Sequence, residues 1–269
     1  MTLGEVLRGA ADYLAARGVP SPRVDAELIL ARALGLERIE LYTQHDRPLT
    51  EPERAAAREL VRRRAAREPL AYVLGDWGFR RLTLKTDARA LVPRPETEVV
   101  VDRCLELLAG VEAPRVADVG TGTGAIALAL KQERPDATVV ATDVSPDALA
   151  LARENAEANG LDVAFVEADL LEGVEGPFDL VVSNPPYVQA SELERLEPEL
   201  AHEPRAALED RGQTGRLVTA ARGALLVLEV HEDHAADVAA LLERTGYVEV
   251  RVSPDLAGRD RVVEGRWMR

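Results

Sequence analysis

A single cysteine, Cys104, occurs in the 269 residues, which excludes a disulfide within the chain and any thiolate-rich metal cluster. It lies in the apolar face of VVVDRCLELL, where a core role is expected. Lysine is nearly absent, with only Lys85 and Lys131 against 31 arginines, a skew that does not fix the growth temperature. No uninterrupted apolar run approaches the roughly 18 residues that a bilayer-crossing helix needs. The start, MTLGEVLRGAADYLAARG, carries charges where a signal peptide requires an apolar stretch. A cytoplasmic protein without a membrane partner is therefore expected. Positive charge is also scarce where a nucleic-acid binder would need it. Residues 1–74 hold 12 arginines and 11 acids, but 75–269 hold 21 basic and 36 acidic residues, a balance of −15. With aromatic residues at 4%, there is neither a basic footprint nor an aromatic-rich target-recognition module, and no direct nucleic-acid partner is expected.

Hydrophobic residues make up 46% of the chain, enough for one large core or two smaller ones. From Thr2 to about Tyr72 they recur at helical spacing, as in Leu3, Val6, Leu7, Ala10 and Leu14 and then Ala26, Ile29, Leu30, Ala33 and Leu34. Thr50 opens a capping-box pattern, TEPE, before ERAAARELVRRRAAR. Arg62, Arg63, Arg64 and Arg67 on that helix form either a docking surface or an ordinary solvated face. The pattern changes to alternation in WGFRRLTLKTDARALV, which predicts a β-hairpin. Strands are then predicted at 115–119, 138–143, 163–167, 179–184, 224–230, 247–253 and 261–267, with helices between most of them. Such alternation specifies an α/β fold with a mostly parallel seven-stranded sheet covered on both faces. The domains read as a helical module at 1–74, a hairpin linker at 75–92 and an α/β domain at 93–269.

The first of these strands runs into Asp118-Val119-Gly120-Thr121-Gly122-Thr123-Gly124 and then a helix. Glycines allow a sharp turn and close approach of a ligand, and the helix start offers free N–H groups. G-x-G-x-G spacing points to S-adenosylmethionine rather than a nicotinamide cofactor; a glycine-rich turn made only for packing is the plain alternative. Asp143 ends the second strand, where a carboxylate can accept both hydroxyls of a ribose, because Ser145 and Pro146 supply the next helix start. At the third strand end, Asp169 can accept from an adenine amino group while Leu170 packs on the ring.

The fourth strand delivers Ser183-Asn184-Pro185-Pro186-Tyr187 to the same edge. An amide or aryl amine nitrogen has a delocalised lone pair, so its methylation depends on alignment. The Asn184 side-chain oxygen and the Pro185 carbonyl can each accept one N–H of a planar NH₂, while Tyr187 stacks on the planar group and the two prolines stiffen the loop. No strong base is needed, since the nitrogen sheds its proton after attack. Catalysis is thus assigned to Asn184, Pro185 and Tyr187, substrate binding to these with Pro186, and no metal is expected.

These motifs, with DAELILARALG, PLAYVLGDWGF, LVPRPETE at 91–98, FDLVVSNPPYV at 178–188 and EPRAAL at 203–208, resemble the HemK-type N5-glutamine methyltransferases of peptide-chain release factors over nearly the whole chain. The resemblance implies a Rossmann-like class I methyltransferase fold, S-adenosylmethionine converted to S-adenosylhomocysteine, and a cofactor site of Gly120, Thr121, Gly122, Thr123, Gly124, Asp143, Leu170 and Asn184, to which the strand-end reading above adds Asp169. It further implies as substrate the Gly-Gly-Gln glutamine of class 1 release factors, gripped in part by the helical module, with Arg94, Thr97 and Glu98 shaping the pocket; an ordinary helix start accounts equally well for Thr97 and Glu98. A monomer is expected. The alternative, suggested by NPPY alone, is methylation of an adenine or guanine amino group. Two departures stand out. The segment GQTGRLVTAARG is shorter than usual, implying a pared-down cover for the sheet there. Glu229 leads into Val230-His231-Glu232-Asp233-His234 in place of the usual E-I-G sequence; two histidines in a solvated loop are weak support for a metal.

Overall fold

The computed structural model describes residues 1–193 and 196–268. They divide into a helical unit, Met1–Asp76 with Glu197–His202, and a larger unit, Trp77–Leu196 with Glu203–Arg269. The helical unit contains α1 (Leu3–Ala16), α2 (Pro22–Leu34), α3 (Glu40–Thr43), α4 (Glu51–Ala65) and α5 (Leu70–Leu74). Leu3, Leu7, Ala10 and Leu14 of α1 form one buried stripe against Ala26, Ile29 and Leu30 of α2, the packing that their spacing requires. The Glu53 carboxylate accepts from the Thr50 backbone N–H at 2.8 Å, closing the box that starts α4. Arg62, Arg63 and Arg64 in its last turn and Arg67 just beyond it do not share one surface. Arg64 falls on the side of Ala57 and Val61 and is buried, donating to Asp25 at 2.6 Å and to Glu199 at 2.9 Å. Arg67 also pairs with Glu199 (2.6 Å), Arg63 pairs with Glu68, and Arg62 stays on the surface beside Glu59.

From the unit boundary onward, β1 (Asp76–Phe79) and β2 (Leu82–Lys85) form a two-stranded sheet whose Phe79, Leu82 and Leu84 are buried. A seven-stranded sheet follows: β3 (Arg115–Val119), β4 (Thr138–Asp143), β5 (Ala164–Glu167), β6 (Leu180–Ser183), β7 (Leu225–Glu229), β8 (Tyr247–Pro254) and β9 (Asp260–Trp267). Its order is β5-β4-β3-β6-β7-β9-β8. β3 to β7 run parallel, and β9 lies antiparallel between β7 and β8. The helices are α6 (Pro95–Leu107), α7 (Ala125–Glu133), α8 (Pro146–Asn159), α9 (Arg205–Leu208), α10 (Gln213–Ala220) and α11 (Ala235–Thr245). Successive strand residues point to opposite faces, so Val116, Leu180, Val182 and Val227 join one core with α6 and α7. Ala117, Val119, Val181, Leu226 and Leu228 join another with α10 and α11. Both faces are thus covered, as a parallel sheet demands. The short segment before β7 does provide cover: α10 buries Leu217 and Val218 fully.

After β5 the chain returns to the other side of β3 to lay down β6, so strand order reverses between β3 and β6. Their carboxyl ends splay the following loops apart and open a crevice at this point.

Candidate active site

The loop leaving β3 turns because Gly120 and Thr121 both donate to the Thr142 carbonyl, at 2.8 and 2.9 Å. Gly120 and Gly122 have φ of +74° and +55°, a region that favours glycine. A side chain on Gly120 would meet no protein atom within 4 Å, so its open side faces free space. Gly124 differs: it caps α7, and a Cβ there would press on Leu128 and Ala152 at 3.1 and 3.3 Å. Beneath the loop, buried Asp118 accepts from the Thr121 hydroxyl (2.6 Å) and the Ala127 N–H (3.1 Å). Burial raises its pKa to about 7.

Asp143, at the end of β4, accepts from Gly122 N–H and Ser145 N–H, each at 2.9 Å. It is therefore partly committed to the loop rather than wholly free, although each oxygen keeps a lone pair for a further donor. Ser145 does cap α8, its hydroxyl accepting from Ala148 N–H at 3.2 Å. Leu170 holds φ at +59°, and its carbonyl accepts from the Thr142 hydroxyl at 2.9 Å. Asp169 is half-exposed and paired with Arg216 at 2.7 Å, so a ligand donor would compete with that guanidinium.

Val119 of β3 and Ser183 of β6 are paired in register, which sets Gly120 and Asn184 side by side at the sheet edge. A cavity of about 240 Å³ is lined by 120–123, Asp143, 168–170 and 183–186. Gly124 and Tyr187 are not among its lining residues. Gly124 is consumed by helix packing, and the Tyr187 ring lies against His231, with centroids 5.9 Å apart. His234 lies a further 5.9 Å from His231. Among the described residues no cluster of three or more His, Cys, Asp or Glu side chains is arranged to hold a metal ion.

Residues 89–94 with Pro204, Ala206 and Ala207 supply another wall of the cavity. Glu203, which sequence reasoning left without a role, ties them together: its carboxylate accepts from Val92 N–H at 2.9 Å and from Arg94. Burial raises the Glu203 pKa against the opposing pull of Arg94. Arg94 and Thr97 line the cavity, whereas Glu98 turns away and accepts from Arg80 N–H at 3.0 Å.

A second missed carboxylate lies at the end of β7. Ser183 pairs with Leu228, so Asn184 follows beside Glu229, which is 2% exposed. Burial raises the Glu229 pKa to about 7, while hydrogen bonds from Thr97 and Asn184 and the charge of Arg261 oppose the rise. Asn184 Nδ2 also points at the Thr97 hydroxyl, 3.5 Å away. Only its place at a central strand end marked Glu229 beforehand.

A parallel sheet with one antiparallel strand, a glycine loop at its switch point and a polar residue presented by the adjacent strand define a Rossmann-like methyltransferase. Comparisons agree. Residues 99–248 match the Methyltransferase small domain family and residues 5–75 the PrmC N-terminal domain. The chain is 48% identical to a release factor glutamine methyltransferase of Deinococcus radiodurans over 277 residues, covering 99% of each chain. It is 42% identical to one of Geobacter sulfurreducens, covering 98% of this chain and 96% of that one. This chain belongs to the release factor glutamine methyltransferase family. Solved structures share the fold: a Pyrococcus furiosus methyltransferase (TM-score 0.50, 20% identity, 70% of this chain and 90% of that one). So does a T. thermophilus 16S rRNA N2-guanine methyltransferase in complex with AdoMet and guanosine (TM-score 0.53, 19% identity, 72% and 50%).

Proposed function

We propose that this protein transfers a methyl group from S-adenosylmethionine to the side-chain amide nitrogen (N5) of the glutamine in the Gly-Gly-Gln motif of class 1 release factors, and so supports translation termination. The observation that carries this reading is Asn184 at the carboxyl end of β6, beside the glycine loop and lining the same cavity. The residues present suit the cofactor. The open side of Gly120 admits a close ligand, Asp143 retains acceptor capacity for a ribose, and Leu170 offers an apolar edge. When bound, S-adenosylmethionine supplies an electrophilic methyl group.

The protein's own task is alignment. The Asn184 Oδ1 and the Pro185 carbonyl accept the two N–H bonds of the substrate amide and turn its lone pair toward the cofactor side of the cavity. Pro185 and Pro186 hold that loop stiff. Tyr187 lies outside the cavity lining and packs on His231, so its role is to flank the glutamine entry rather than to form the floor. The nitrogen loses its proton once the new N–C bond has formed, and no buried base is required. The helical module, 1–74, is assigned to gripping the release factor.

The test is transfer of labelled methyl from S-adenosylmethionine to purified release factor, beside its Gln→Ala variant and a pool of DNA and RNA. Label on the unmodified factor alone is expected. Label confined to nucleic acid would refute the proposal in favour of amino-group methylation of a base.

A further inference from the structure

Asn184 can serve as an acceptor only in one of its two amide orientations. If the side chain turns by half a revolution, its NH₂ faces the substrate NH₂, and two donors oppose each other. Something in the protein must therefore choose the orientation, and the NPPY loop does not contain it: both residues after Asn184 are prolines, without an N–H to offer Oδ1.

Glu229 and Thr97 occupy the other side of Asn184. Both are nearly inaccessible, at 2% and 4% exposure, and neither belongs to the loop. A carboxylate only accepts hydrogen bonds. The Thr97 hydroxyl acts on the Glu229 carboxyl as a donor; with its one proton turned to the carboxylate, it keeps only lone pairs for Asn184. What Asn184 presents to Thr97 and Glu229 is then Nδ2, the arrangement found, with Nδ2 3.5 Å from Thr97 Oγ1. Oδ1 is left for the cavity. The Glu229 Oε2 atom has no hydrogen-bond partner among the described protein atoms, so acceptor capacity remains. The other ionisable groups acting on this carboxyl are Glu96 on α6 and Arg261 on β9, and its own charge is felt by the Tyr187 phenol.

We propose that Glu229, acting through Thr97 and directly on Asn184, is the positioning residue that sets the Asn184 amide with its oxygen toward the substrate. The inference rests on the alignment role given to Asn184 above. Protonation of Glu229 reverses the relay: the carboxylic acid donates, Thr97 can donate toward Asn184, and the productive orientation loses its support.

The experiment is a double-mutant cycle on the full chain, reading single-turnover methylation of release factor together with S-adenosylmethionine affinity by calorimetry. Glu229→Gln offers a donor as well as an acceptor, so turnover should fall about 10- to 100-fold with cofactor affinity unchanged within about 2-fold. In an Asn184→Ala background the same change should alter turnover less than about 2-fold, because there is no amide left to orient. Turnover of the unmodified enzyme should rise with pH through the Glu229 ionisation, and Glu229→Gln should lack that limb. Thr97→Ser should retain activity and Thr97→Val should lose it, which keeps the test intact if Glu229→Gln misfolds. Additive losses in the double variant, or a matching loss of cofactor affinity in Glu229→Gln, would overturn the proposal. Full activity in Asn184→Ala would instead remove the alignment reading beneath it.

Discussion

Asn184 and Asp143 line one cavity, and under the proposed function their tasks differ, so substitution should separate them. Asn184→Ala removes an acceptor used to align the substrate, so single-turnover rate should drop about 100-fold while calorimetry shows nearly unchanged S-adenosylmethionine affinity. Asp143→Ala removes an acceptor at the cofactor edge and the partner of Gly122 and Ser145 N–H, so affinity should fall first. Equal loss of affinity in both variants would contradict this division. The sequence marks such residues by place, since Asp143 closes β4 and Asn184 follows β6, the edge where ligands of such sheets bind. Adjacency in the motif does not decide whether a residue faces the cavity: Gly124 and Tyr187 are not among its lining residues.

At the scale of elements, the strands and main helices follow from apolar periodicity and capping, signals that are local. The TEPE capping box is such a signal, and Glu53 takes the position it predicts. Glu203 is the opposite case. Its partners, Val92 and Arg94, lie more than a hundred residues earlier, and only the register of the folded sheet brings the two walls together. Glu203→Ala leaves the Val92 N–H and the Arg94 guanidinium without their acceptor, so urea unfolding should show a loss of about 1–3 kcal/mol. Arg62→Ala, which removes only a solvent-screened surface pair with Glu59, should leave the unfolding midpoint nearly unchanged. Comparable losses in the two would show that the Glu203 contacts contribute little. Arg64 follows the same logic as Glu203: a run of arginines reads as surface, and only helical phase, which places it with Ala57 and Val61, turns it inward.

For the molecule as a whole, buried carboxyl groups set the response to pH. Asp118 and Glu229 have pKa values raised to about 7, and Asp143 and Glu203 are also raised, in each case chiefly by burial. The folded state then holds protons that the unfolded chain has already released, so the contribution of these groups to stability is fully present below the unfolded carboxyl range and is lost as pH rises through the folded values. Carboxylates shifted the other way, such as Glu154 and Asp136 at about 2, act at lower pH. Unfolding free energy should therefore decline between about pH 5 and about pH 7.5, and Asp118→Asn should flatten the decline. A stability that climbs across that interval would contradict the assignment. The uneven charge of the chain belongs to this scale too, since it argued against a phosphate-rich partner before any contact was known. Under the proposed function, the methyl acceptor is a single atom of another protein. Incubation of the enzyme with S-adenosylmethionine and release factor, followed by tandem mass spectrometry of the peptide bearing Gly-Gly-Gln, should place one added methyl group on the glutamine side-chain nitrogen. An unmodified glutamine under conditions where the enzyme methylates another macromolecule would contradict the account.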